Sequence, residues 1–266
     1  MNENSTERKA YLAGKERRRR NIHICQVSAL CLFFGIWELS AHLGLIDSFV
    51  LSSPSRIIKT LVNLSGNHFL MHLGVTVYET LVGFVLGAAL GTAIAILLWW
   101  SSFISSVAEP YLVVLNSLPK IALGPVIIIL VGAGTKAIIF MALAISLIVT
   151  VMEMLAGFRG TDKDYLLMAR TFGASKRQMF VNIVLPSNIG TLFNSLKINI
   201  GLSLVGVIAG EFLVSKAGLG YLIVYGGQVF QLDLVMASVL VLAILAAIMY
   251  ESVSLLERLA SHFYGK

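Results

Sequence analysis

The chain has 266 residues, 57% hydrophobic and 13% charged, with a mean hydropathy of +0.86. Soluble domains carry about 25% charged residues, so this composition excludes a water-soluble globule and indicates a membrane protein. The net charge of +6 raises nucleic acid as a partner, but seven of the bases fall in the first 20 residues. A basic block beside an apolar segment is the cytoplasmic anchor of the positive-inside rule.

Residues 1–21 form this basic arm (Arg8, Lys9, Lys15, Arg17, Arg18, Arg19 and Arg20), ahead of a membrane region spanning 22–266. The first apolar stretch, 22–44, meets the ~20 residues a span requires. A cleaved signal peptide is its rival reading. Glu38 and His42 follow the apolar run and no A-x-A site is present, so the stretch reads as an uncleaved span. Cys25 and Cys31 lie six residues apart, on different faces of a helix, with no metal-binding or redox spacing. Residues 47–73, containing "SSPSRIIKTLVNL", read as a turn and a short interfacial amphipathic helix.

The remaining spans are expected at 74–99, 107–132, 137–157, 189–213 and 234–256, giving an all-α protein of six transmembrane helices. In the second, Glu79, Gly83, Gly87, Gly91 and Ala95 recur every four residues on one face, and such spacing lets helices approach closely. The face serves either as a subunit or pore seam or as packing within one bundle, the second being the simpler reading. Glu79 is expected to face protein, since a lipid-facing carboxylate costs several kcal/mol. The third span is interrupted at Pro119 and Pro125, with Lys120 between them. Helix breaks at depth are tolerated only against protein or water, which places that segment at a pathway.

With the amino terminus inside, the cytoplasmic segments 1–21, 100–106, 158–188 and 257–266 hold fourteen bases, among them Arg159, Lys163, Arg170, Lys176, Arg177, Arg258 and Lys266. The opposite side holds four: Arg56, Lys59, Lys136 and Lys216. Six spans with both termini cytoplasmic satisfy this asymmetry.

No enzymatic constellation is visible. "GAGTKA" at 132–137 is similar to the end of a P-loop, but Lys136 does not directly follow a glycine and Ile129 stands where the first glycine is required. No HExxH, GxSxG or paired-cysteine pattern is present, so no catalytic residue, cofactor or metal is assigned.

The charged stretch "ARTFGASKRQMFVNIVLP" at 169–186 is the chain's most distinctive feature. Thr161 with Asp164, and Ser175 with Gln178, are spaced as capping boxes. With Gly173 between them, they predict a helix over about 163–171, a glycine stop and a second helix from about 176. A DNA-reading helix-turn-helix is one interpretation. Only 31 residues (158–188) separate the flanking spans, however, and the second helix runs into "MFVNIVLP" towards the membrane. That leaves no room for a third helix or a separate core, so no nucleic-acid partner is expected. Tyr165, Met168, Ala169 and Phe172 recur at i, i+3, i+4 and i+7 as one apolar face. Such a face fits a groove on a partner, or packs on the protein's own spans.

The loop resembles the signature of permease subunits of ABC importers, E-A-A-x3-G-x9-I-x-L-P. Gly173, Ile183, Leu185 and Pro186 hold its spacing, while Leu167, Met168 and Ala169 occupy the E-A-A positions. "SLPKIALGPVIIILVGAGTKAIIF" (117–140), "GVIAGEFLVSKAGLGYLI" (206–223) and "SSPSRII" are similar to the subfamily that imports sulfonates, taurine, nitrate or bicarbonate, with relatives carrying pyrimidine precursors or riboflavin. The resemblance implies a multi-pass permease of the bacterial inner membrane with the type I importer fold. It further implies a second copy of the chain, a separate ATPase subunit and an extracytoplasmic binding protein. The ATPase would dock at Tyr165, Met168, Ala169, Arg170, Phe172, Gly173, Ala174 and Ser175.

Polar residues in the fifth span (Asn194, Lys197, Asn199, Ser203 and Glu211) are costly at membrane depth and often line a pathway. They are assigned, with Lys120, to the translocation pathway. Lys197 either meets an anionic solute or forms a structural pair with Glu153 or Glu251, or snorkels. Two other classes remain in view. An ion-driven secondary transporter would show an inverted repeat, and none is visible. A membrane-tethered DNA regulator would read DNA through 161–186.

Overall fold

The computed structural model describes residues 6–47, 49–64 and 69–264. Residues 1–5 of the basic arm and Lys266 lie outside the described residues, as do the side chains of Arg8 and Lys9. Every regular element among the described residues is helical.

Helix α1 (Thr6–His42) begins within the basic arm and runs through the first predicted span without a break. Lys, Arg, Ala and Leu are good helix formers, and the single glycine of the arm, Gly14, costs only about 1 kcal/mol. Its apolar side chains, Val27, Leu30, Leu32, Phe33 and Ile36 among them, are exposed, as are Cys25 and Cys31. Its far end is tied to the bundle through Glu38, whose carboxylate accepts from the Ser55 amide (3.0 Å) and hydroxyl (2.7 Å). Ser55 lies in α2 (Pro54–Leu64), the expected amphipathic helix: Ile57 is buried while Ile58 and Val62 face outward. Arg56 of α2 pairs with Asp233 at 2.7 Å.

Helix α3 (Phe69–Trp100) supplies the second span. Its glycine face packs inside the chain and forms no subunit seam. A Cβ on Gly83 would lie 2.6 Å from the Cβ of Ala142, and one on Gly91 2.5 Å from that of Thr150. Side-chain-free positions on α3 thus let α6 (Thr135–Arg159) approach closely. Glu79 is fully buried, as its membrane depth required.

The third span is broken. Helix α4 (Ser102–Ser117) and the segment Lys120–Val131, which contains α5 (Gly124–Val131), meet at 84°. Pro119 at the break lacks an N–H and disfavours helical backbone in Leu118, while Pro125 sits in the first turn of α5, where its missing donor costs nothing. By length and composition, five helices can cross a membrane, or six with this bent pair as one span.

The loop helices α7 (Lys163–Thr171), α8 (Lys176–Met179) and α9 (Leu185–Ser187) lead into α10 (Ile189–Val214), α11 (Leu219–Gln228) and α12 (Leu232–Tyr264). The bundle centres on α6, which packs between α3 and α10 with Ile138, Met141, Ala142, Val151 and Phe158 buried. Gly206 of α10 rests on the α6 backbone: a Cβ there would lie 2.5 Å from the Cα of Ala142.

Candidate functional site

Two places carry chemistry: the loop 160–188 and the α10 surface beside the broken span. In the loop, α7 occupies the span predicted for it. Its start differs from expectation, because Asp162 caps it by accepting from the Asp164 amide (2.9 Å). Thr161 is buried instead, and its hydroxyl accepts from the Asn188 amide nitrogen (2.9 Å), closing the base of the loop. One position was enough to exchange a cap for a tertiary bond. Gly173 has φ +76°, and the Gly173 and Ala174 amides donate to Arg170 and Ala169 carbonyls, a left-handed helix stop. Ser175 and Gln178 form the expected reciprocal box. From Phe180 to Val184 the helix widens to i→i+5 bonding, which makes room for Pro186, whose ring would clash with the carbonyl four residues earlier.

Of the predicted apolar stripe, Tyr165 (57%), Met168 (52%) and Phe172 (83%) are exposed, and Leu167 joins them. Ala169 is instead turned inward, alongside Leu166, which packs on the bundle core. Arg170 and Ser175 are exposed, and Ala174 is half-buried. Tyr165, Leu167, Met168 and the C-cap residue Phe172 thus form an exposed apolar surface on a short helix held by caps at both ends.

The polar residues of α10 are not gathered in one channel. Asn199 is buried and donates to Thr150 Oγ1 (2.7 Å) and the Ser195 carbonyl (2.9 Å), bridging α10 to α6. Ser203 is fully buried within the bundle. Lys197 pairs with Glu257 at 2.5 Å, in place of either Glu153 or Glu251, and lies 5.9 Å from the Tyr250 ring. Glu211 is buried and accepts from Thr76 Oγ1 (2.7 Å) and from the Gly220 amide (2.5 Å). It therefore caps α11, where a carboxylate meets orphan N–H groups and the positive end of the helix dipole. Gly218 at φ +114° leaves room for that carboxylate. Of the assigned pathway residues, Asn194 is exposed and Lys120 and Lys197 are half-buried, while Asn199, Ser203 and Glu211 are buried. Lys120 bonds the Asn116 carbonyl (3.0 Å).

A groove of about 610 Å³ lies between the broken span and α10. Ile121, Ala122 and Pro125 line one wall, and Leu204, Val205, Ile208 and Phe212 the other. The exposed positions Asn194, Ile198, Gly201, Val205 and Phe212 recur at helical spacing on α10, and Val205 and Phe212 of these line the groove. Sequence reasoning missed the apolar residues that line the groove because apolar side chains in a span look alike whether they face lipid, protein or a groove.

Residues 83–262 match the model of the family described as binding-protein-dependent transport system inner membrane component. The chain belongs to this family. It is thus an inner-membrane, multi-pass permease of an ABC importer, a transport subunit and not itself an enzyme. The permease is 28% identical over 186 residues to the formylaminopyrimidine transport permease of Halalkalibacterium halodurans, covering 70% of this chain and 74% of that one. It is 24% identical to the taurine transport system permease of Escherichia coli over 247 residues, 90% of each chain. Its fold matches that of the MetNI methionine ABC transporter in inward-facing conformations, with a TM-score of 0.64 at 17% identity, covering 71% of this chain and 94% of that one. Importer permeases of this kind work with an ATPase and a substrate-binding protein, often as dimers.

Proposed function

We propose that this permease is the homodimeric membrane component of an importer for a small anion of the sulfonate type. Both termini and the coupling loop 158–188 face the cytoplasm. The 1–21 arm anchors the 22–266 permease domain there, consistent with the base asymmetry. A separate ATPase subunit receives α7, with Tyr165, Met168 and Phe172 entering its groove. Arg170 lies at the rim, Gly173, Ala174 and Ser175 shape the turn, and Ala169 braces the helix from behind.

The solute path follows the groove beside the broken span, from Asn194 past Gly201 and Val205, with Lys120 as the cation nearest an anionic cargo. Asn199, Glu211 and Lys197 hold the helices that form the wall through their side-chain bonds, and Ser203 is buried among them. The taurine relative supports a sulfonate cargo, delivered by an extracytoplasmic binding protein. The apolar lining of the groove and the formylaminopyrimidine relative define the competing cargo.

The observation that carries this reading is the exposed, doubly capped α7. Phe172→Asp is expected to leave membrane insertion intact while the ATPase subunit no longer co-purifies and uptake stops. Retention of both would refute the docking assignment. Growth of a deletion strain on a sulfonate as sole sulfur source tests the cargo: unimpaired growth rejects the sulfonate and turns the test to pyrimidines.

A further inference from the structure

Helix α7 rests on the bundle through Leu166 and Ala169, and a push on it also reaches the spans through the chain on either side. On the entry side, Arg159 at the end of α6 bonds Glu109 (2.9 Å) and the Ser105 hydroxyl (2.6 Å) of α4. The exit side is different in kind. Lys176 Nζ donates to the Trp100 carbonyl (2.6 Å) and lies 5.4 Å from the centre of the Trp99 ring. That carbonyl closes α3 and has no partner within the helix, and it stands at the negative end of the helix dipole. One turn later, the buried Phe180 ring lies 4.9 Å from the Trp99 ring, 6.0 Å from that of Trp100 and 5.4 Å from that of Phe158.

We infer that Lys176 and Phe180 are positioning residues that clamp the exit of the loop to the Trp99–Trp100 end of α3 and convert displacement of α7 into movement of that span. The inference rests on the proposed docking of α7 to the ATPase. Its physical content is that two contacts of different chemistry meet one helix end. The ammonium fixes direction through the terminal carbonyl, and the aromatic ring supplies dispersion contact that resists separation. Between α7 and Lys176 lies only the Gly173 turn, and the Ser175–Gln178 box fixes the backbone from which Lys176 projects. Beyond the clamp, α3 lies against α6 through glycines that leave no slack, so a shift at Trp100 is carried along the α3–α6 seam.

The test reconstitutes the permease with its ATPase and binding protein, and measures co-purification of the ATPase and solute uptake per ATP hydrolysed. Lys176→Met keeps the apolar stem and removes the ammonium. The ATPase is expected to remain bound while uptake per ATP falls about fivefold, the worth of one exposed cation–π contact expressed as lost coupling. Lys176→Arg, which restores a cation over the ring, is expected to recover most of it. Phe180→Leu, still apolar, is expected to uncouple in the same direction. Parental uptake per ATP in both Lys176→Met and Phe180→Leu would overturn the clamp, as would failure of Lys176→Arg to outperform Lys176→Met. Should Phe172→Asp keep the ATPase bound, the docking reading falls separately, and the uptake ratios of the Lys176 variants still decide the clamp.

Discussion

Ala142 on α6 is approached from both sides by glycine, Gly83 of α3 and Gly206 of α10, and the two approaches differ. A Cβ at position 83 would meet the Ala142 side chain at 2.6 Å, with the next neighbours, the Ile139 carbonyl and Ala142 Cα, at 3.7 and 3.9 Å. A Cβ at position 206 would meet backbone: Ala142 Cα at 2.5 Å, its amide nitrogen at 3.0 Å and the Met141 carbonyl at 3.2 Å. Optimal contact is about 3.5–4.0 Å, so either substitution forces the helices apart by roughly 1 Å. Overpacking of this kind costs about 1–3 kcal/mol, against a gain of about 1 kcal/mol from replacing a helical glycine by alanine. Gly206→Ala is expected at the costly end, because a backbone cannot rotate aside. Ala142→Gly should then rescue Gly83→Ala by removing the one atom in the way, the two propensity changes cancelling at about 1 kcal/mol each. It should not rescue Gly206→Ala. Thermal unfolding of detergent-solubilised protein, followed by fluorescence-detected size exclusion, measures both double variants. Equal rescue of the two, or a parental unfolding temperature for Gly206→Ala, would refute the packing argument.

Glu211 is held by Thr76 and Gly220, whereas among the described residues neither carboxylate oxygen of buried Glu79 meets a partner at hydrogen-bond distance, with Thr135 and Glu211 its polar neighbours. Glu79→Gln is therefore expected to leave the unfolding temperature unchanged or raise it, and Glu211→Gln to lower it by an amount equivalent to about 1–3 kcal/mol, the cost of leaving one buried donor without its acceptor. Equal losses would contradict this asymmetry. In a variant lacking Cys25 and Cys31, cysteines at Asn194, Gly201 and Val205 are expected to react with small water-soluble thiol reagents, and cysteines at Asn199 and Ser203 to be protected. The reverse pattern would return the pathway to the polar face of α10. Reporters fused after residue 20, near 162 and after 262 are expected to read cytoplasm, and those near 60 or 218 the outside; a cytoplasmic reading at 218 would sink the six-span topology.

Sequence alone determined the features that depend on near neighbours. Apolar run length placed the spans, the alternation of Gly173 and Ser175–Gln178 placed the turn in the loop 158–188, and Pro119 marked the break in the third span. Each follows from backbone chemistry within a few residues. Tertiary structure decided what lay on the other side of each residue. Polarity at membrane depth says that Asn199 and Glu211 need partners, but water in a pathway and Thr150 or an α11 amide satisfy them equally well. Lys197 found Glu257, 60 positions away, and no local pattern singles it out from Glu153 or Glu251. The groove carries no sequence signal because its walls are apolar like the lipid-facing surfaces around them. The glycine face of α3 is legible as a close-packing surface. Its partner, α6 of the same chain, became known only when the helices were set side by side.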